Sequence, residues 1–292
     1  MQRRKSSEGS TTKSAFRTTV SLFVSRNMPP LLGGRLKGLP PPYLRIYFPC
    51  SSDKLHGSAR VELESTARSD GGYVDAILLA AGRSSRLGTD TDKQLYRIAN
   101  KPLIIYSAER LLDNPSIDRL VVVGNESSLD ELQSVLREFD LIAACDFVLG
   151  GDQRQASVRN SLSAVKSDRV LLHEGARPLI NSSLIDRVLT PDTVCVTPTV
   201  PVPFTVAMGE TMMEGELDRS LLHNVQLPQA FDTQKLSDAH EQAFSDGFKA
   251  TDDSALIFRM GYPVEFVEGD VTNIKVTYPK DLFLVEEILK LQ

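Results

Sequence analysis

The sequence has few cysteines and no long apolar run. Its 292 residues include only Cys50, Cys145 and Cys195, an odd number spaced far apart. They form neither a disulfide framework nor a C-x-x-C metal motif, so we expect a reducing compartment and interpret them as small buried apolar residues. No segment approaches the ~18 consecutive apolar residues of a membrane span, so a membrane protein is not expected.

Clustered positive charge is missing from most of the chain. Residues 1–47 hold nine Lys and Arg against one acid, Glu8, which leaves a formal charge of −13 on the remainder because the whole chain carries −5. Nucleic-acid surfaces need clustered cations, so this acidic body excludes general nucleic-acid binding. An anionic ligand must instead be held by a few local cations.

Residues 1–72 lack any sustained apolar period and are rich in Ser, Thr, Gly and Pro. This composition predicts a disordered or loosely ordered N-terminal extension, followed by one domain over residues 73–292. A plastid transit peptide, a dispensable tail and a wrongly assigned start all explain the extension. We favour the last two, which place the protein in the cytoplasm. No apolar segment of the length of a secretory signal is present.

Two nucleotide-binding motifs are also absent, the P-loop G-x-x-x-x-G-K-[ST] and the dinucleotide motif G-x-G-x-x-G. What is present is AILLAAGRSSRLGTDTDKQ over residues 76–94. Its apolar run is typical of a central parallel strand covered on both faces. The glycines and cations that follow suit a phosphate-binding loop. An ordinary strand-to-loop connection with solvated basic residues explains this stretch equally well.

From residue 73 onward, apolar strands alternate with amphipathic helices. We predict strands at 74–81, 119–124, 147–149, 169–173, 193–196 and 264–267, and helices at 102–114, 129–139, 153–165, 182–189, 233–246, 252–260 and 279–291. This order predicts an α/β protein with an open, mostly parallel, Rossmann-like sheet, whose ligands bind at the carboxyl ends of the strands. Residues 203–226 interrupt it and predict a projecting β-arm whose apolar residues favour a homodimer.

Seven short motifs occur in an order typical of one family. They are A-A-G-x-x-x-R-x-G with D-K-Q (80–88, 92–94), G-G-D-x-R-x-x-S-V (150–158), H-E-G-A-R-P (173–178), D-R (218–219), L-P-Q-A-F (227–231), T-D-D-S (251–254) and N-I-K-V-T (273–277). Over about residues 74 to 291 the chain resembles the 2-C-methyl-D-erythritol 4-phosphate cytidylyltransferase family, which is related to the ribitol-5-phosphate cytidylyltransferases. The resemblance implies a nucleotidyltransferase that uses CTP, with Mg²⁺ bridging phosphates and no protein-only metal site, in the non-mevalonate route to isoprenoids.

The resemblance also implies a role for each matching residue. Arg86, Lys93 and Lys275 would stabilise charge during catalysis. The residues implied to bind the nucleotide are Ala80, Ala81, Gly82, Gly151, Asp152, Ser157 and Gly175. Those implied to bind the acceptor are Glu174, Arg177, Thr205, Arg219 and Thr251, with Arg219 reaching into the partner subunit's site.

The chain departs from the family pattern on the acceptor side. Glu174 and Gly175 stand where the family has Asp and Ala, and Phe204, Ala207 and Leu227 replace other usual residues. Transfer to ribitol 5-phosphate or another alditol phosphate is therefore an alternative. A non-catalytic nucleotide-binding protein is a third hypothesis, disfavoured because the cationic residues are retained.

The four histidines do not form a metal motif. His56, His223 and His240 have no metal-ligand spacing with acids or cysteines. His173 is predicted to orient the loop at a strand end rather than to act as a base.

Overall fold

The computed structural model describes residues 73–82 and 92–291. The predicted extension over residues 1–72, residues 83–91 with Arg86, and residue 292 lie outside the described residues. Within the described ranges, no helix combines the length and the apolar character needed to cross a membrane.

The described part alternates strands and helices, as the sequence predicts. The strands are β1 (Val74–Leu79), β2 (Arg97–Ile98), β3 (Lys101–Pro102), β4 (Ile117–Gly124), β5 (Cys145–Leu149), β6 (Arg169–Glu174), β7 (Cys195–Pro201), β8 (Ala207–Met208), β9 (Gly215–Glu216), β10 (His223–Val225), β11 (Gln229–Asp232) and β12 (Glu265–Glu268). The α-helices are α1 (Leu103–Leu112), α2 (Leu129–Glu138), α3 (Arg154–Leu162), α4 (Ser182–Leu189), α5 (Thr233–Ser245), α6 (Asp253–Arg259) and α7 (Pro279–Leu289). Short 3-10 helices lie at Lys93–Leu95, Ile142–Ala144 and Arg219–Leu221.

One mixed sheet organises the molecule. Its strand order is β10-β7-β11-β6-β1-β4-β5, and β12 also pairs with β7. β1 lies at the centre and pairs parallel with both β4 and β6, and β4 pairs parallel with β5. Four neighbouring strands therefore run in the same direction, and their carboxyl ends meet at one edge, where open α/β sheets bind ligands.

Helices cover both faces of this sheet. Every residue of β1 is buried, and its side chains alternate between two cores. Ala76 and Leu78 pack on the side of α1, α2 and α4, whereas Ile77 and Leu79 pack on the side of α3, α5 and α6. This double burial is the reason that the strand has a continuous apolar run rather than an alternating one.

The structure differs from the predicted elements at the far side of the sheet. β11 was not predicted as a strand, yet it pairs antiparallel with both β6 and β7. β7 continues to Pro201, beyond the predicted end at residue 196, because proline carbonyls still accept hydrogen bonds, as that of Pro198 does from the Gln226 backbone N–H. The interpretation of the cysteines is correct for buried Cys195 and wrong for Cys145, which is only partly buried. Cys50 lies outside the described residues.

Candidate active site

The loops after β1, β5 and β6 meet at the carboxyl edge of the sheet. The Gly175 N–H donates to the Leu79 carbonyl at 2.9 Å, and the Ala80 N–H donates to the Val123 carbonyl at 2.8 Å. The backbone after the central strand is thus held between its two parallel neighbours. Ala80 is buried, Ala81 half-buried and Gly82 exposed, so the chain reaches the surface here.

Glycine at position 150 lets two of these loops approach closely. A Cβ added at Gly150 would lie 2.6 Å from the Cβ of Ala81 and 2.9 Å from Oγ of Ser157. The Gly151 N–H donates to Oγ of Ser157 at 3.1 Å. The predicted nucleotide residues of the two loops are therefore packed directly against each other. Asp152 is exposed beside them.

Buried Glu174, at the end of β6, is the centre of a cluster of charges whose cations are partly buried. Nζ of Lys275 donates to its Oε1 at 2.8 Å, and Nε of Arg177 donates to its Oε2 at 3.3 Å. Burial by itself raises the pKa of Glu174, but the charges of Lys275, Arg177 and Arg154 outweigh it and bring the pKa to about 2. The carboxylate is therefore ionised at every physiological pH.

Residues 273–277 bring Lys275 to the site in a segment without helix or strand. The Val276 N–H donates to the Ala176 carbonyl at 2.8 Å, and Nη1 of Arg177 donates to the Asn273 carbonyl at 2.9 Å. Nζ of Lys93 donates to the Val276 carbonyl at 3.3 Å. Two of the predicted catalytic cations, Lys93 and Lys275, thus lie on adjoining segments. The third, Arg86, lies outside the described residues.

Arg154 is a member of this cluster to which no role was assigned from the sequence. Its Nε lies 3.5 Å from Oε1 of Glu174, and its Nη1 lies 2.6 Å from Oδ2 of Asp253. Asp253 is buried, and its Oδ1 lies 3.1 Å from Nε2 of His240. The G-G-D-x-R motif contains Arg154, so its position was visible in the sequence, but its two carboxylate partners were not.

Several buried polar atoms of the site have no hydrogen-bond partner among the described residues. They are Oε1 of Gln94, Nη2 of Arg154, Oε1 of Gln229, Oδ2 of Asp253, which has only an ion pair, and Oδ1 of Asn273. Buried polar groups are normally paired, so unpaired ones indicate a site that is completed by a ligand or by water.

The predicted acceptor residues lie in three places. Glu174 and Arg177 belong to the charge cluster. Thr205 and Arg219 line an exposed groove of about 520 Å³ on the segment that carries β8 and β9, where Nη1 of Arg219 donates to the Pro203 carbonyl at 3.1 Å. Thr251 is exposed, next to Asp252. Among the described residues, no hydrogen bond or ion pair joins Arg219 to Glu174.

The contacts of His173 indicate a structural role. Burial lowers the pKa of His173 to about 4, so its ring is neutral, and its Nε2 lies 3.1 Å from the Arg177 carbonyl, to which it donates. The ring thus holds the loop after β6, as predicted. In the described part of the chain no three His, Cys, Asp or Glu side chains are grouped so as to hold a metal ion. His56 lies outside that part.

Comparison with known proteins identifies relatives over most of the chain. The model of the 2-C-methyl-D-erythritol 4-phosphate cytidylyltransferase family matches residues 74–291. The protein of that name from Caldanaerobacter subterraneus subsp. tengcongensis is 36% identical over 224 residues, which cover 74% of this chain and 99% of the relative. Its counterpart from Geobacillus kaustophilus is 35% identical over 219 residues, which cover 74% of this chain and 96% of that protein.

Solved structures show the same fold. The crystal structure of 2-C-methyl-D-erythritol 4-phosphate cytidylyltransferase from Thermus thermophilus matches with a TM-score of 0.62 at 30% identity, over 75% of this chain and 99% of that one. The structure of 4-diphosphocytidyl-2C-methyl-D-erythritol synthase from Anaerococcus prevotii has a TM-score of 0.67 at 24% identity. The match covers 76% of this chain and 100% of that one. The predicted α/β nucleotidyltransferase fold is confirmed.

Proposed function

This chain belongs to the 2-C-methyl-D-erythritol 4-phosphate cytidylyltransferase family, and we propose that it transfers the cytidylyl group of CTP to 2-C-methyl-D-erythritol 4-phosphate. The products are the CDP derivative and pyrophosphate, and the step belongs to the non-mevalonate synthesis of isoprenoid precursors. The observation that carries the proposal is the cluster of Lys275, Arg177 and Arg154 around Glu174 at the carboxyl edge of the sheet.

The reaction requires stabilisation of negative charge and does not require a general base. A phosphate oxygen of the acceptor attacks the α-phosphorus of CTP, a new P–O bond forms, and the bond to the leaving pyrophosphate breaks. The attacking phosphate is already an anion, so no proton has to be removed. Catalysis then consists of positioning and of neutralising charge at the five-coordinate phosphorus and on the pyrophosphate. Lysine and arginine are the residue types suited to this task.

We assign the nucleotide to the loops after β1 and β5. Lys93, Lys275 and Arg86 would neutralise the triphosphate and the transition state. The backbone of residues 80–82 would contact the phosphates, while the base and ribose would lie against Gly151, Asp152, Ser157 and Gly175. The close packing of Gly150 against Ala81 supports a single pocket made by both loops.

We assign the acceptor to the side of Glu174, Arg177 and Thr251. Both oxygens of Glu174 already accept hydrogen bonds from cations. We therefore give this residue the role of orienting Lys275 and Arg177, in place of contacts with sugar hydroxyls. Thr205 and Arg219 would reach the acceptor phosphate from the arm.

A phosphate-bridging Mg²⁺ fits the donor set of the site. Mg²⁺ in such sites is held mainly by substrate phosphates and by one or two carboxylates, so the lack of a larger cluster among the described residues is compatible with it. Both oxygens of Glu174 already accept hydrogen bonds from cations, so substrate phosphates and water would supply most of the ion's ligands. When bound, the ion would neutralise phosphate charge.

We further propose a homodimer formed through the arm over residues 203–226. Its apolar side chains are exposed, with 77% of Phe204, 79% of Met212 and 76% of Leu221 accessible. Exposed apolar surface of this kind favours a protein partner. A second subunit would also allow Arg219 to act in the partner's site. We expect the enzyme in the cytoplasm, or in a plastid if residues 1–72 are a genuine transit peptide.

The test is incubation with CTP, Mg²⁺ and a panel of acceptor phosphates, with pyrophosphate release as the readout. We expect release with 2-C-methyl-D-erythritol 4-phosphate. Turnover with ribitol 5-phosphate alone would refute the proposed acceptor and support the alternative favoured by the altered Glu174 and Ala207. Tight CTP binding without turnover on any acceptor would refute catalysis.

A further inference from the structure

Arg154 links the two halves of the site. It is the first residue of α3, directly after the predicted nucleotide loop 150–153. Its guanidinium reaches Glu174 at the end of β6, at 3.5 Å, and Asp253 at the start of α6, at 2.6 Å. Among the residues that the structure describes, none with an assigned role is ion-paired with both Glu174 and Asp253.

The contact between Arg154 and Asp253 is held in place by the surroundings of Asp253. Asp253 is 1% exposed, and a buried carboxylate is costly unless it is paired. It contacts Nη1 of Arg154 through Oδ2 and Nε2 of His240 through Oδ1. Burial raises the pKa of Asp253, but the Arg154 charge and the His240 hydrogen bond outweigh it and leave the pKa below its ordinary value. Arg154 therefore contacts an anion that has a second anchor.

Glu174, the other carboxylate that Arg154 contacts, is less constrained than Asp253. Glu174 receives Lys275 from residues 273–277, a segment that is neither helix nor strand, and Arg177 from its own loop. Arg154 is the cation of the cluster that comes from a helix. Side chains on regular elements are held more precisely than those on loops, and residues that must orient substrates need such support.

We propose that Arg154 is a positioning residue for nucleotidyl transfer, an inference that rests on the proposed function. Its ion pairs with Glu174 and Asp253 hold the Glu174 carboxylate between α3 and α6, and Glu174 in turn holds the ammonium of Lys275 and the guanidinium of Arg177. Arg154 thereby couples the nucleotide loop to the acceptor loop. Its role is in geometry as well as in charge, because one planar guanidinium contacts two carboxylates.

The competing explanation is that Arg154 serves only as the counter-ion of buried Asp253. Arg154→Lys separates the two. A lysine keeps the positive charge for Asp253 but, being a single point charge, cannot hold both carboxylates. We expect Arg154→Lys to unfold in urea close to the wild type while kcat falls on the order of 10²-fold, the loss typical of a small misplacement in an active site. A kcat of Arg154→Lys equal to that of the wild type would overturn the proposal.

A double-mutant cycle tests whether Arg154 acts through Glu174. We expect Arg154→Gln to lower kcat strongly in the wild type and only slightly in a Glu174→Gln background, since interacting residues are not additive. An equal fold-loss in both backgrounds would overturn the proposal. Arg159→Gln is the matched control. Arg159 lies on the same helix as Arg154 and is exposed to a similar degree, but its side chain contacts Glu241 and Phe244. It should leave kcat unchanged.

A crystal structure of Arg154→Gln gives a readout that does not depend on turnover. We expect the Glu174 carboxylate to move away from its wild-type position relative to Lys275. An unmoved carboxylate would overturn the inference even if the enzyme were inactive on every acceptor. Conversely, an inactive wild-type protein with a displaced Glu174 in the variant would refute the proposed reaction alone.

Discussion

Replacing Glu174 by glutamine removes one negative charge from the centre of the site at nearly constant side-chain volume. The amide leaves Lys275, Arg177 and Arg154 without the anion that they share. The carboxyl group has a pKa of about 2 in the folded protein, against an ordinary value of 4.5. This difference corresponds to about 3 kcal/mol of stabilisation at neutral pH.

The pH dependence of this stabilisation has a definite sign. Because the folded-state pKa lies below the unfolded one, the stabilisation is complete above about pH 4.5 and is lost as the pH falls towards 2. Urea unfolding followed by far-ultraviolet circular dichroism measures it. We expect Glu174→Gln to be less stable than the wild type by about 3 kcal/mol at pH 7, and by less than half of that at pH 3.

The matched control is Glu138→Gln on the protein surface. Glu138 also pairs with an arginine, Arg97, at 2.7 Å, but both side chains are about half exposed. Exposed ion pairs contribute little, so this variant should unfold like the wild type. A Glu174→Gln protein as stable as the wild type at pH 7, or one whose loss of stability is no smaller at pH 3, would show that the Glu174 charge does not supply this stabilisation.

Four further substitutions test the assigned roles. Lys93→Ala should lower kcat on the order of 10²–10³-fold with an unchanged urea midpoint, because a partly exposed lysine adds little to the core; a near-normal rate would refute its role. Gly150→Ala places a Cβ 2.6 Å from that of Ala81, so we expect a loss of about 1–3 kcal/mol in unfolding free energy and a raised KM for CTP, and unchanged values of both would contradict the close approach. Arg219→Gln should raise the KM of the acceptor while that of CTP stays constant, and an unchanged acceptor KM would remove Arg219 from the site. Met212→Glu should shift the sedimentation coefficient from dimer to monomer, and a wild type that sediments as a monomer would exclude the arm interface.

The sequence predicted the elements that depend on local pattern. The limits of α4 agree with the structure at both ends, and those of β1 and α1 agree within two residues at each end. β11 was missed because two of its four residues are polar, Gln229 and Asp232; Gln229 is buried and donates to Asp252 at 2.9 Å. A polar residue in a short strand looks like a loop until its long-range partner is known.

The candidate site was predicted in part. The motifs singled out Lys93, Glu174, Arg177 and Lys275, and the structure places these four on adjoining segments. Nothing in the sequence connected Arg154 with Asp253, which is 99 positions further along the chain. Nor did any motif indicate that the oxygens of Glu174 are occupied by cations.

Residues 76–94 illustrate the division between sequence and structure. By itself the sequence determined that a doubly covered strand is followed by a polar stretch that carries cations, because burial pattern and residue chemistry are local properties of the chain. It also determined the family, through the order of its motifs. Only the tertiary structure decided which charges meet: Lys275 donates to Glu174 across 101 positions. Such a contact depends on strand order and on the fold of the intervening chain, and no local pattern contains that information.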